Sequence, residues 1–265
     1  MARSAIMNVM VSAALKAGKG LVRDYNEVQH LQVSLKGPAN YVSQADQKAE
    51  QTIKYELMKA RPTYSFLMEE SGEIHGSDGQ HRFIIDPLDG TTNFLHGIPF
   101  FAVSIALERQ KQIVASVIYN PILDELFTAE RGDGAFLNDR RIRVAGRRKL
   151  EDCVICTGIP HIGRPNHGHY LIELRNAMAH TAGIRRTGSA ALDLAYVAAG
   201  RFDGFWEDNL EPWDIAAGIL LIKEAGGFVT DKEGNNEFFT KKNIIAANEI
   251  IHQALMKTIK KPLKA

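Results

Sequence analysis

The sequence predicts an α/β protein written in two styles, with an α+β first half and an α/β second half. Three observations carry this. Apolar residues recur at helical spacing over 4–26 and 45–61. Strand-like runs then succeed one another between 102 and 137 with no helix between them. From 154 onward, strand-like and helix-like segments alternate. The 265 residues suit one large domain or two smaller ones sharing an interface. An arginine-rich run over 139–149 marks the expected boundary, giving halves of 1–144 and 145–265.

Taken in order, Ile6, Met7, Met10, Ala14, Ala17, Leu21 and Val22 form one face of a first helix. Leu31, Val33 and Leu35 alternate with polar residues as a strand does, and Lys36 to Asn40 reads as a loop. A second helix covers Ala45 to Arg61 and stops before Pro62. Ser65 to Met68 is a short strand running into Glu69 and Glu70, and Gly72 to Gln80 is a polar surface loop. Phe83 to Ile85 is a buried strand expected to end at Asp86-Pro87, because proline cannot donate a ladder hydrogen bond. Strands follow at Ala102 to Glu108, Ile113 to Tyr119, Leu126 to Thr128 and Ala135 to Leu137. The second half reads as strands at Val154, Ile184, Phe202, Phe228 and Ile244 and helices at Tyr170, Ser189, Trp213 and Glu249.

Composition excludes several classes. The chain is 45% hydrophobic and 24% charged with a net charge of +1, so no global field favours nucleic acid or an anionic membrane. No apolar run reads as a membrane span and no signal-peptide core is visible, so a cytoplasmic protein is expected. Cys153 and Cys156 have redox spacing but lie on a strand, which sends the thiols to opposite faces; both are expected to be buried. His161, His167 and His169 lack acidic or cysteine company and read as an exposed loop near a substrate entrance. Trp206 and Trp213 read as core or wall.

The chemistry concentrates in Asp86-Pro87-Leu88-Asp89-Gly90-Thr91-Thr92-Asn93-Phe94. Two carboxylates precede a glycine turn and a helix start, where free N–H groups attract anions. Carboxylates beside an anion site repel what the site binds, unless a divalent cation lies between them. Glu69 and Glu70 at another strand end and Asp214 at a helix start supply further oxygen donors, which suit hard cations such as Mg²⁺ and not zinc. Without a metal, Asp86, Asp89 and Asp214 should hold raised pKa values. Phosphatases of the haloacid-dehalogenase type use a similar string but place the aspartates two residues apart. Here they lie three apart, which favours a metal bridge over an aspartyl-phosphate.

That string closely resembles the first signature of the inositol monophosphatase family, in the style of its bacterial branch. Trp213 to Gly218 with Glu224 to Gly227 is similar to the second signature. Phe66 to Ser71, Val42 to Asp46 and Arg186 to Ala191 resemble its acidic strand end, N-terminal aspartate element and substrate-binding turn, although Met68 replaces a usual glycine. The resemblance implies a five-layered α/β/α/β/α sandwich of the sugar phosphatase superfamily, a homodimer, Li⁺ sensitivity and two to three Mg²⁺ per site. It implies that Glu69, Asp86 and the Leu88 carbonyl hold one Mg²⁺, and that Asp86, Asp89 and Asp214 hold a second. Thr91, with Glu69 or with Asp46, would orient the attacking water, and the N–H groups of Gly90 and Thr91 would grip the phosphate. Ser189, Ala190 and Glu207 would contact the leaving alcohol, and Lys36 would lie near a third metal. The implied activity is hydrolysis of myo-inositol monophosphates. Relatives of the same fold act on fructose 1,6-bisphosphate, 3′-phosphoadenosine 5′-phosphate or histidinol phosphate, so these remain alternatives. The basic 139–149 run and Lys257, Lys260, Lys261 and Lys264 leave room for a regulatory protein or RNA-related partner, although no nucleic-acid substrate is expected.

Overall fold

A computed structural model of the chain describes residues 3–27, 33–37, 40–161, 163 and 165–261, with 33–37 and 40–43 described by backbone alone. The first layer is a helix pair, α1 (Ala5–Asn26) and α2 (Gln44–Ala60). The Ser4 hydroxyl caps α1 by accepting from the Met7 N–H at 3.2 Å. Met7, Met10, Val11, Ala14, Ala17 and Leu21 form its buried stripe. By length and hydropathy α1 could cross a bilayer, contrary to the sequence expectation. It instead packs that stripe on α2 and the sheet beneath, as the core helix of a globular domain does. Between the two helices, β1 (Val33–Gly37) falls where alternation predicts a strand, and it pairs antiparallel with β2 (Asn40–Ser43), which the sequence does not announce.

The second layer is an eight-stranded sheet. In chain order its strands are β3 (Ser65–Met68), β4 (Gly72–Ile74), β5 (His81–Asp89), β6 (Ala102–Arg109), β7 (Gln112–Asn120), β8 (Glu125–Glu130), β9 (Gly134–Leu137) and β10 (Arg140–Arg141). The spatial order is β10-β9-β8-β7-β6-β5-β3-β4, antiparallel except for the parallel β3–β5 pair. Two expectations fail here. Part of the Gly72 to Gln80 segment is strand β4, an edge strand too short to show a period. More importantly, β5 does not stop at Pro87. Its ladder with β6 resumes at Asp89, with a bulge between Asp86 and Asp89. Pro87 sits in the bulge, where no ladder donor is needed.

After a single helical turn, α3 (Thr91–Leu95), the chain completes this sheet and crosses to the second half through the arginine-rich run. There Arg147 pairs with Asp203 at 2.9 Å, and the Asn248 amide donates to the carbonyls of Ala145 and Arg147. The remaining strands, β11 (Val154–Thr157), β12 (Gly183–Arg185), β13 (Gly204–Asp208), β14 (Phe228–Thr230) and β15 (Asn243–Ala247), form a mixed sheet in the order β12-β11-β13-β15-β14. The helices α4 (His167–Met178) and α8 (Glu249–Ile259) cover its outer face, and a short α7 (Phe238–Lys241) was not foreseen.

The helices α5 (Ala190–Ala198) and α6 (Pro212–Glu224) lie between the two sheets and touch both. This position explains their sequences. A helix covered on both sides must be apolar nearly all round, and Ile215 to Ile222 are buried without interruption. Gly218 lets the pair approach closely, since a Cβ there would lie 2.5 Å from Leu194 Cβ. The order helices, sheet, helices, sheet, helices is the five-layered sandwich. Cys153 and Cys156 are both buried and fall in different cores on opposite sides of the second sheet, as alternation requires.

Candidate active site

The β5 bulge, the start of α5 and the start of α6 converge on one cavity of about 690 Å³. Glu69, Asp86, Leu88, Asp89, Gly90, Thr91, Ser189, Ala190, Glu207 and Asp214 all line it. Asp46 lies behind Thr91, and the Lys36 side chain falls outside the described residues. The cavity thus gathers residues from both halves of the chain.

Local chemistry holds each acid in place. Asp86 is buried, and its Oδ1 accepts from the Leu88 N–H at 2.9 Å, closing the bulge on itself. Asp89 Oδ2 accepts from the Ser189 hydroxyl at 2.6 Å and from the Ala191 N–H at 2.7 Å. The β5 strand end therefore caps α5, joining residues a hundred positions apart. Ser189, expected to touch the alcohol, directs its hydroxyl to Asp89 while accepting from the Leu192 N–H as the helix cap. Asp214 is the third residue of α6, where its Oδ2 accepts from the Glu211 N–H at 2.7 Å in a reciprocal capping box. Being a helix cap and being a cluster acid are thus compatible roles.

Ligand oxygens of Asp86, Asp89 and Asp214 all lie within 4.8 Å of one another. Among the described residues, no lysine or arginine pairs with them. Burial, then the charges of Glu69 and Asp89, pushes Asp86 well above the usual carboxylate range. Burial and then Asp89 do the same to Asp214. Burial raises Asp89 from 3.8 to about 6 against the lowering effect of its hydrogen bonds to Ser189, Ala191 and Ala190. Three oxygen donors that repel one another fit a hard divalent cation, which restores the ionised form of all three.

Thr91 follows Gly90, whose φ of 98° lies in the left-handed region that glycine favours. A Cβ there would also crowd the Phe100 carbonyl at 3.1 Å. The Thr91 hydroxyl lies 3.0 Å from the Leu88 carbonyl and 3.4 Å from Asp46 Oδ2. Asn93 caps nothing. Its amide donates to the carbonyls of Phe100 at 2.7 Å and Thr187 at 2.9 Å, tying this turn to the segment before α5.

Several contributors escaped the sequence. Glu50, buried on α2, accepts from the N–H groups of Glu70 and Ser71 and from the Ser71 hydroxyl, anchoring the turn that carries Glu69. Asp193 and Arg186 line the cavity. Asp193 is buried, which raises its pKa well above normal although it accepts from the Thr187 hydroxyl. A charged residue inside the apolar run Ala190-Ala191-Leu192-Asp193-Leu194 was the available signal. His161 lines the cavity, whereas His169 pairs with Glu173 on α4 at 3.1 Å.

The five-layered sandwich thus carries, where its middle helices begin, an acidic cluster that could hold a metal ion. A sequence model of the inositol monophosphatase family matches residues 2–263, and the chain belongs to this family of phosphoric monoester hydrolases. It is 68% identical to an inositol-1-monophosphatase of Mesorhizobium japonicum over the full length of both chains. It is 46% identical to the Nus factor SuhB of Pseudomonas aeruginosa, covering 96% of this chain and 95% of that one. The crystal structure of extragenic suppressor protein suhB from Bartonella henselae superposes with a TM-score of 0.96 at 74% identity, covering 98% of this chain and all of that one.

Proposed function

We propose that the protein is a Mg²⁺-dependent phosphomonoesterase that hydrolyses myo-inositol monophosphates to inositol and phosphate. The observation that carries this reading is the convergence of Asp86, Asp89 and Asp214, without a cation of their own, in a cavity that also holds Glu207. Glu69, Asp86 and the Leu88 carbonyl would hold one Mg²⁺, and Asp86, Asp89 and Asp214 another, with two to three ions per site. Bound Mg²⁺ lowers the pKa of water and offsets phosphoryl charge. The chain's own groups do the rest. The Thr91 hydroxyl, in reach of Asp46, orients the attacking water. The N–H groups of Gly90 and Thr91, at the start of α3, donate to phosphoryl oxygens as charge builds on them. Glu207 accepts from hydroxyls of the leaving alcohol, and Ser189 and Ala190 form the adjoining wall. No side chain serves as nucleophile, so no phosphoenzyme forms.

The same reading includes inhibition by Li⁺, a homodimer, a cytoplasmic setting and subdomains at 1–144 and 145–265. A substrate panel tests it. With Mg²⁺ and Li⁺ titrations, inositol 1-phosphate should be preferred over fructose 1,6-bisphosphate, 3′-phosphoadenosine 5′-phosphate and histidinol phosphate. Preference for any of the last three would reassign the substrate.

The relatives named as Nus factors support a second reading, a partner-binding role that does not need catalysis. Copurification of the same partner by wild type and by the inactive Asp214→Asn variant is the expected result. Loss of the partner with the variant would count against it.

A further inference from the structure

Glu207 lies on β13 between Trp206 and Asp208, and successive strand residues face opposite sides. Phe205 belongs to the core between the two sheets, whereas Trp206 belongs to the outer core under α4 and α8. Glu207 accordingly lines the cavity, and Asp208 lies on the side of α4. On that outer side three segments meet at one ammonium. Lys232 Nζ donates to Glu173 Oε1 at 2.7 Å, to Glu173 Oε2 at 2.8 Å and to Asp208 Oδ2 at 2.5 Å. Trp206 Nε1 donates to Glu173 Oε2 at 3.2 Å. The Lys232 N–H donates to Asn243 Oδ1 at 2.8 Å, and Asn243 is the β15 partner of Asp208. Both strand neighbours of Glu207 are therefore anchored to the same buried carboxylate, Asp208 through the Lys232 ammonium. On the inner side, Gly158 leaves the space that the Glu207 carboxylate fills, because a Cβ at 158 would overlap it.

We propose that Lys232, with Glu173 and Asp208, is a positioning residue for Glu207, and that this clamp together with the bare Gly158 sets the preference for polyol leaving groups. The proposal rests on the phosphomonoesterase reading above. Lys232 touches no substrate. It restrains the end of β13, so that Glu207 presents a fixed carboxylate to hydroxyls and forms charge-assisted hydrogen bonds without first being ordered. The aspartate cluster stands on β5 and α6 and does not depend on the clamp.

The test compares inositol 1-phosphate with phenyl phosphate, which has no hydroxyls on its leaving group. Lys232→Met should raise KM for inositol 1-phosphate about tenfold and leave its kcat, and both constants for phenyl phosphate, within about twofold. Asp208→Asn is the milder variant that keeps the fold if Lys232→Met does not, and it should show the same split to a smaller degree. Gly158→Ala should raise KM for inositol 1-phosphate in the wild type but add nothing in a Glu207→Ala background. Equal losses on both substrates in a folded Asp208→Asn variant would make the cluster merely structural and overturn the proposal, as would unchanged KM in both variants. A wild type that hydrolyses phenyl phosphate with no preference for inositol 1-phosphate would overturn the polyol reading, and the positioning role with it. A wild type inactive on both would instead overturn the phosphatase reading itself.

Discussion

Two clusters of buried and half-buried acids lie about this fold, and they differ in one respect. Glu173 and Asp208 share an ammonium supplied by the chain, Lys232. Asp86, Asp89 and Asp214 share none among the described residues. The first cluster has a cation bridging its two acids and can hold a strand. The second is left with a repulsion that raises the pKa values of its acids and that a bound cation would relieve. An acidic cluster becomes a candidate site when the fold withholds the counter-ion, and a structural clamp when the fold provides it.

The comparison breaks most easily at the open cluster. Asp86→Asn or Asp214→Asn should lower kcat in saturating Mg²⁺ by at least about a hundredfold, since even outer-shell partners of metal ligands cost that much. Near-wild-type turnover in either variant would remove the metal reading. At the lysine-bridged cluster, Lys232→Met takes the ammonium from Asp208 and leaves Glu173 only Trp206 and His169, and should lower stability by about 3–5 kcal/mol in urea titrations. A smaller loss than Gly218→Val would show the clamp to be energetically idle. Mg²⁺ at a hundred times its dissociation constant should stabilise the wild type by about 2.7 kcal/mol relative to EDTA, raising Tm by about 5–10 °C. Asp214→Asn should lose most of that rise. Gly218→Val crowds Leu194 where α5 and α6 touch and should cost about 1–3 kcal/mol, with site chemistry intact.

The smallest effect is one of pH. Asp89 in the apo fold titrates near 6 and in the unfolded chain near 3.8. Between those values the fold holds a proton that the unfolded chain has lost, so the unfolded chain is the weaker proton binder. Stability in EDTA should therefore fall as pH rises from about 4 through about 6 and recover as pH is lowered again. With Mg²⁺ present the trend should reverse, because the cation favours the ionised acids. A Tm in EDTA that rises over this interval would show the three acids to be less strained than their crowding implies.

Most elements were legible because their residues carry a period. The stripe of α1 and the apolar run Ile215 to Ile222 of α6 each state their surroundings locally. Failures came where a local rule met a long-range partner. Pro87 breaks a ladder by rule, yet a bulge against β6 absorbs it. The hydrogen bond from the Ser189 hydroxyl to Asp89 joins residues one hundred positions apart and was not legible either. Glu50, Asp193 and Lys232 looked like ordinary polar positions on helices or in a loop, because their partners Glu70, Thr187 and Glu173 lie on other segments.

By itself the sequence determined the fold class, the family and the motifs that carry Asp86, Asp89 and Asp214, since periodicity and short motifs are written in neighbouring residues. Tertiary structure alone decided which acids meet and which are neutralised. Asp86 and Asp89 reach Asp214 because two middle-layer helices start at one strand end, and Glu173 reaches Lys232 because the turn after β14 carries the lysine to α4. Charge balance in a buried cluster is a sum over groups distant in the chain, and no local pattern encodes that sum.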